Sequence, residues 1–442
     1  MPAQLAQRVH ELLADDDEGR LCKDIPESAC KAQPGNFLRH VLALIASKTG
    51  DGLADPKLVL AWLLSTIGAP AFAIGMLVPV REAGSLLPQL AIAGLIRRQA
   101  RRKWIWAVGS AGQGLAVLGM AAAVTIADGR SAGWIVIALL AVFALCRGAC
   151  SVSYKDVLGK TVAKASRGSA TGAAGSVAAL LVLLFGVSLS LGWIPRTPGS
   201  MAIVLALAGV LWILAAVVFV ALDEAPGAAE GGVSAVEVLR GQFLLLLGDR
   251  KLQHFILVRA LLLGTALAPP YLLLMMSNAG AGAADGGAGI GPFVVTSSLA
   301  AVSSAYVWGR MSDASSRRVL VAAALLAASA LALAVGLPHL PSGGPGGEWV
   351  QAAIFFLLMV SHQGVRLGRS THIVDMADEA RRADFTALSN SAIGVLLLAA
   401  SGFGLLAETF GAKVVLLVFA AMSAFAALAA LGLDEVQQGQ NA

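Results

Sequence analysis

Twelve runs of roughly 20 mostly apolar residues, parted by short polar connections, dominate this chain of 442 residues. A helix of a soluble protein keeps a polar face for water, and these runs have none. The chain is 57% hydrophobic and only 13% charged, with a mean hydropathy of +0.77, whereas soluble domains carry about 25% charged residues. Such a sequence cannot cover a water-exposed surface, so it predicts an all-α integral membrane protein of about twelve transmembrane helices, six on either side of a polar linker.

The runs place spans at 57–78, 80–97, 104–126, 133–153, 169–192 and 200–222, then at 252–276, 289–309, 318–337, 349–367, 384–406 and 412–433. They divide the chain into an N-terminal extension (1–56), a first six-helix bundle (57–222), a linker (223–251), a second bundle (252–433) and a short tail (434–442). The extension holds an acidic run, Asp15 to Glu18, and no leader-like segment. Within it, Phe37 to Ile45 reads as a short helix lying on the membrane surface or packed against its cytoplasmic face. Asp51 to Pro56 reads as a turn into the first span.

Lys and Arg fall unevenly between alternate loops. One set of loops holds 19 of them, among them Arg97, Arg98, Arg101, Arg102 and Lys103, and the other holds only Arg81, Arg130, Arg196 and Lys413. By the positive-inside rule the first set is cytoplasmic and so are both termini. This bias accounts for the net charge of +5 without a nucleic-acid partner. The four cysteines form no Cys-x-x-Cys pair and the histidines do not cluster, so neither a metal nor a cofactor is expected.

Two of the basic hairpins carry a repeat. Gly309-Arg310-Met311-Ser312-Asp313-Ala314-Ser315-Ser316-Arg317-Arg318 follows the eighth span, and Ala93 to Lys103 follows the second with the same spacing. A second matched pair runs from Arg147-Gly148 to Gly168 and from Gln363-Gly364 to Asp384. The hairpins resemble the loop signature Gly-x-x-x-Asp-(Arg/Lys)-x-Gly-x-(Arg/Lys)-(Arg/Lys) of the major facilitator superfamily of secondary transporters. Gly309, Asp313, Arg317 and Arg318 match it. In the first copy Ala93 and Ala100 replace the glycines, and Arg97 replaces the acid.

The resemblance implies two bundles that rock about a solute site near the bilayer midplane. It also implies a cytoplasmic gate in which Asp313 meets the start of the fifth span at Arg167, Gly168 and Ser169, because a helix start offers unpaired N–H groups and partial positive charge. In the altered copy the expected gate is charge-swapped, Arg97 against Asp384.

Ionisable side chains inside spans are costly and mark function by default. Arg147 is similar to the fourth-span Arg of proton-coupled antiporters. Arg81 and Glu82 are expected at the outer start of the second span, Arg259 in the seventh and His362 near the inner end of the tenth. Gln113, Tyr271 and Asn390 are neutral groups able to bond a solute, and Pro269-Pro270 predicts a bend in the seventh span. Gly168, Gly172 and Gly175 predict a close helix contact.

The expected function is secondary active transport of a small organic solute by alternating access, coupled to protons, by a monomer in a bacterial-type inner membrane. The direction is open. The alternatives are a facilitative organic-anion transporter and a non-transporting sensor or scaffold that uses residues 1–56. No Gly-x-x-x-x-Gly-Lys-Ser/Thr motif is present, so neither ATP drive nor an enzyme is expected.

Overall fold

A computed structural model describes residue 7 and residues 27–89, 99–226, 248–278, 290–337, 347–377 and 382–437. The described chain is helical. The first half comprises α1 (Glu27–Leu53), α2 (Val59–Thr66), α3 (Ala71–Leu86), α4 (Lys103–Ile126), α5 (Gly129–Thr161), α6 (Lys164–Ser190) and α7 (Pro198–Val220). The second comprises α8 (Arg250–Leu261), α9 (Gly264–Asn278), α10 (Ile290–Ala314), α11 (Ser316–Gly336), α12 (Gly347–Met376), α13 (Arg382–Ala399), α14 (Gly402–Phe410) and α15 (Ala412–Leu431). Among the described residues, ten helices are long and apolar enough to cross a membrane. Large exposed apolar side chains such as Val108, Leu115, Ile203, Val302 and Leu428 stud their outer faces, which only a lipid surround tolerates on this scale. The protein is a multi-pass membrane protein.

The first span differs from the expectation. It starts within what the hydropathy pattern assigned to the extension, and α1 is no surface helix. Phe37, Val41 and Leu44 are buried against Leu158, Val162, Ala170 and Ala174 of the α5–α6 region, and Ala43 is buried with Trp106, Val157, Ala215 and Phe219. Its polar residues hid it, yet the fold satisfies them. Asn36 exchanges hydrogen bonds with the backbone of Asp223, and His40 Nε2 meets Thr161 Oγ1 at 2.8 Å.

The chain then breaks at Ala54–Leu58, where Asp55 Oδ1 accepts the N–H groups of Lys57 (2.7 Å) and Leu58 (3.1 Å). It turns at Gly68, whose φ of +77° suits glycine, and re-enters as α3. The apolar run 57–78 therefore belongs to two helices. Pro79 lies inside α3, and Arg81 and Glu82 sit about 15 Å along it rather than at its start.

Small residues bring helices close. Gly114 of α4 faces the carbonyl of Gly209 on α7, and Gly109 and Gly112 face Cys150 and Cys146 on α5. The two thiols are thus packing groups in the first bundle. In the second bundle α11 packs between α12 and α15. The seventh span is interrupted at Leu262–Leu263, where Leu263 N bonds back to Ala260 O and Thr265 N to Leu262 O, and α9 then runs unbroken through Pro269-Pro270, so the break falls before the prolines and not at them.

Among the described residues, several close contacts between the two halves lie towards one end. Gly186 of α6 lies against Val294 and Val295 of α10, Gly291 against Ser190, and Gly75 of α3 against Gly404 of α14. All of these lie away from the basic loops. At the basic end Gly168 and Gly172 have open space beside them and Gly175 faces only Lys48 Nζ, so the predicted glycine contact is not made in this conformation. Among the described residues the halves stand apart there, with open space beside Gly309 as well.

Each half is tied at its basic end by the same tripeptide. After α7, Leu222-Asp223-Glu224 places the Glu224 carboxylate on the N–H groups of Arg102 (3.0 Å) and Lys103 (2.8 Å) and near Lys160. After α15, Leu433-Asp434-Glu435 pairs Asp434 with Lys251 (2.7 Å) and Glu435 with Arg317 (2.9 Å).

Candidate functional site

Charged side chains of the first half converge where α1, α3 and α5 meet. Arg147 Nη1 donates to both carboxylate oxygens of Asp51 at 2.6 and 2.7 Å. Arg81 Nη2 donates to Asp51 Oδ1 at 3.1 Å and its Nη1 to Glu82 at 2.9 Å. Arg147, Arg81 and Glu82 were legible as candidates, and the structure brings them together. Asp51, which organises them, was not, because Asp51-Gly52 reads as a turn. Asp55 stands four residues on, but its carboxylate is turned to the backbone of Lys57 and Leu58, and no metal-binding cluster occurs among the described residues.

One contact crosses between the halves at this level. Lys57, from the break in the first span, places Nζ 2.9 Å from His362 Nε2 on α12. The other imidazole nitrogen, Nδ1, lies 3.2 Å from Thr265 Oγ1, and that hydroxyl donates to Leu262 O. His362 is buried, and so faces the inter-half space rather than the cytoplasmic surface.

The second half opens a cavity of about 520 Å³ lined by Arg259, Trp308, Arg366, Arg369, Thr386 and Asn390 among others. Helix α12 runs on to Met376, so Arg366 and Arg369 are not in a loop but on a helix wall. Arg259 is only 7% exposed. Its Nη1 donates to Ser389 Oγ and its Nη2 to Asn390 Oδ1 at 3.2 Å, while its Nε is buried without a partner. Trp308 is held by its indole N–H on Val360 O (2.9 Å). Among the described residues, Arg259, Arg366 and Arg369 form no ion pair. Three guanidinium groups around a cavity with no carboxylate in its described lining, and with only Glu82 of the first half in reach of Arg369, favour an anion there.

Of the remaining candidates, Gln113 is used within the first bundle, donating to Gly109 O and to Cys150 Sγ. Tyr271 is 1% exposed, its hydroxyl against Gly75 at the contact between halves, away from the cavity. At the basic end, Asp313 and Arg318 are exposed and Gly309 has nothing beside it. Arg317 holds Glu435, and Arg167 donates to Gly159 O and Val162 O. Asp313 and Arg167 are not paired in this conformation. Arg97 and the side chain of Asp384 lie outside the described residues.

No family model matches the chain, and no curated protein matches it in sequence. Solved structures do match in fold. The nucleoside transporter NupG, as its D323A mutant, superposes with a TM-score of 0.68 at 13% identity, over 90% of this chain and 99% of that one. A D-xylose–proton symporter gives 0.65 at 12% identity over 90% and 98%. The inward-open xylose transporter XylE from E. coli gives 0.63 at 11% over 88% and 95%. The chain has the major facilitator fold. Within that fold, Glu82 of the first-half cluster lies within electrostatic reach of Arg369 on the cavity wall, and the Lys57–His362 contact joins the two halves.

Proposed function

We propose that the protein is a secondary transporter that carries a small organic anion across a plasma membrane by alternating access. The observation that carries the reading is the cavity walled by Arg259, Arg366 and Arg369, with no carboxylate among its described lining residues and only Glu82 of the first half within electrostatic reach of Arg369. A cavity for a sugar or nucleoside needs neutral donors and acceptors, whereas three guanidinium groups in excess over one carboxylate repel one another until an anion enters. The fold supports alternating access, as do halves joined at one end and splayed at the other. With the basic loops in the cytoplasm, the open end faces inward and both termini are cytoplasmic. Asp313 against the start of α6 then closes that end in the opposite state.

Proteoliposome uptake of radiolabelled lactate, succinate and benzoate, with xylose and uridine as neutral controls, tests the reading. An anion is expected to accumulate, and Arg259→Gln or Arg369→Gln to lower its uptake about tenfold or more, as loss of one partner of a desolvated charge pair does. Uptake of the neutral solutes alone would overturn it.

A further inference from the structure

The hydrogen-bond chain around His362 fits one assignment of its tautomer. With the Thr265 hydroxyl proton on Leu262 O, 2.9 Å away, Oγ1 accepts from His362 and Nδ1 carries the imidazole proton. Nε2 is then a bare lone pair, and Lys57 Nζ donates to it at 2.9 Å. A second proton on this imidazole would set N–H against the Lys57 ammonium. Proton uptake by His362 and departure of Lys57 are therefore mutually dependent.

The charges nearby sharpen the dependence. Those within electrostatic reach of His362 are Lys57 from the first span and Arg366 and Arg369 from its own helix, with no carboxylate among them. From the packed α9 it meets the neutral Thr265. Lys57 is in turn within reach of Asp55 and Glu82, and of Arg81 and Arg366. An anion entering the arginine-lined cavity adds the negative charge that His362 lacks, and offers Lys57 a better partner than a neutral imidazole.

We propose that Lys57 and His362 form a proton–anion exchange site: the carboxylate of the solute takes the Lys57 ammonium, and the freed Nε2 of His362 takes one proton from the open end. One proton then travels with each anion, which for a monoanion makes transport electroneutral. The imidazolium and the Lys57–carboxylate pair replace the direct Lys57–His362 bond, so the two halves stay joined through the solute while they rock. This rests on the anion-transport reading, and its test has an arm that does not.

The full chain, labelled with 15N-histidine and placed in nanodiscs, is titrated by NMR, with His362 assigned by its loss in His362→Gln. In the wild type His362 is expected as the Nδ1–H tautomer at neutral pH. Its titration midpoint should rise by about one pH unit or more in Lys57→Met, since a neighbouring like charge is removed, and stay put in Lys57→Arg. If Lys57→Met does not fold, Lys57→Gln serves with the same expected rise. An Nε2–H tautomer, or equal midpoints with and without the Lys57 charge, overturns the proposal. In proteoliposomes, His362→Gln should lose the acceleration of uptake by an acid-outside gradient for the fastest carboxylate of the panel; gradient-driven accumulation by this variant also overturns it. A panel in which no anion moves counts against the transport reading alone, because the histidine titration stands or falls without it.

Discussion

Asp51 shows how one residue decides whether its neighbours are usable. It accepts from Arg147 and Arg81 together, so its carboxylate neutralises two guanidinium groups at the centre of the first bundle. Asp51→Asn keeps the shape and removes the charge, leaving both arginines facing one neutral amide. The side chains of Asp51 and Arg147 are 21% and 33% exposed, so the cost should fall between the ~0.5 kcal/mol of an exposed pair and the ~3–5 kcal/mol of a buried one. Uptake is expected to drop at least tenfold, and the thermal midpoint of the detergent-solubilised protein to fall by a few degrees. An unchanged flux would remove Asp51 from the mechanism. Arg147 was readable from sequence because a lone cation inside a long apolar run has no ordinary reason to be there. Asp51 was not, since beside Gly50 and Gly52 the same residue looks like a turn, and only the tertiary fold turns that stretch into the last helical turn of α1.

At the scale of elements, close glycine contacts carry the joint between the halves. A Cβ on Gly75 would stand 2.6 Å from Gly404 Cα and 2.5 Å from the Tyr271 hydroxyl, and backbone cannot yield as a flexible side-chain tip does. Gly75→Val is therefore expected to prise α3 from α14 and open the end that is closed here. Accessibility of that end to a membrane-impermeant thiol reagent, read at a cysteine introduced at Phe72, should increase; unchanged labelling would show that the joint lies elsewhere.

The repeated Leu-Asp-Glu after α7 and α15 works on the opposite end. Glu224 holds the first two N–H groups of the α4 start, a position where an acid complements the helix dipole. Glu224→Gln should cost about 1–2 kcal/mol, seen as a lower thermal midpoint with the substrate preference unchanged. That tripeptide was present in the sequence as a further internal repeat, but its function depends on which helix start it reaches. The hairpin Gly309–Arg318 was legible as a motif, whereas the partner of its Arg317 proved to be Glu435 of the second copy.

For the molecule as a whole, the helical membrane fold followed from hydropathy and the paired basic hairpins, and ten spans are seen among the described residues. The start of the first span did not, because α1 carries the polar groups that the bundle interior satisfies. What the hydropathy pattern cannot hold is the balance of charge between facing walls. On one wall stand Arg259, Arg366 and Arg369, and on the other Arg81, Arg147 and Lys57 are matched by Asp51, Asp55 and Glu82, so the excess positive charge stands on the second-half wall. Closing the space over three guanidinium groups takes water from them, at a cost that grows as the local dielectric falls. An empty carrier of this kind should therefore rest open at its basic end and close only when an anion neutralises the excess.

Distances between spin labels at Ser169 and Asp313, attached by chemistry that spares the native thiols, report that closure directly. They are expected to shorten when the fastest anion of the flux panel is added to the wild type. In Arg366→Gln/Arg369→Gln they are expected to be shorter already without anion, and to respond little to its addition, because the guanidinium charges whose desolvation opposed closure have been removed along with part of the site. A double variant that stays as open as the wild type, and still closes on adding anion, would show that packing at the joined end, and not charge across the cavity, sets the resting state.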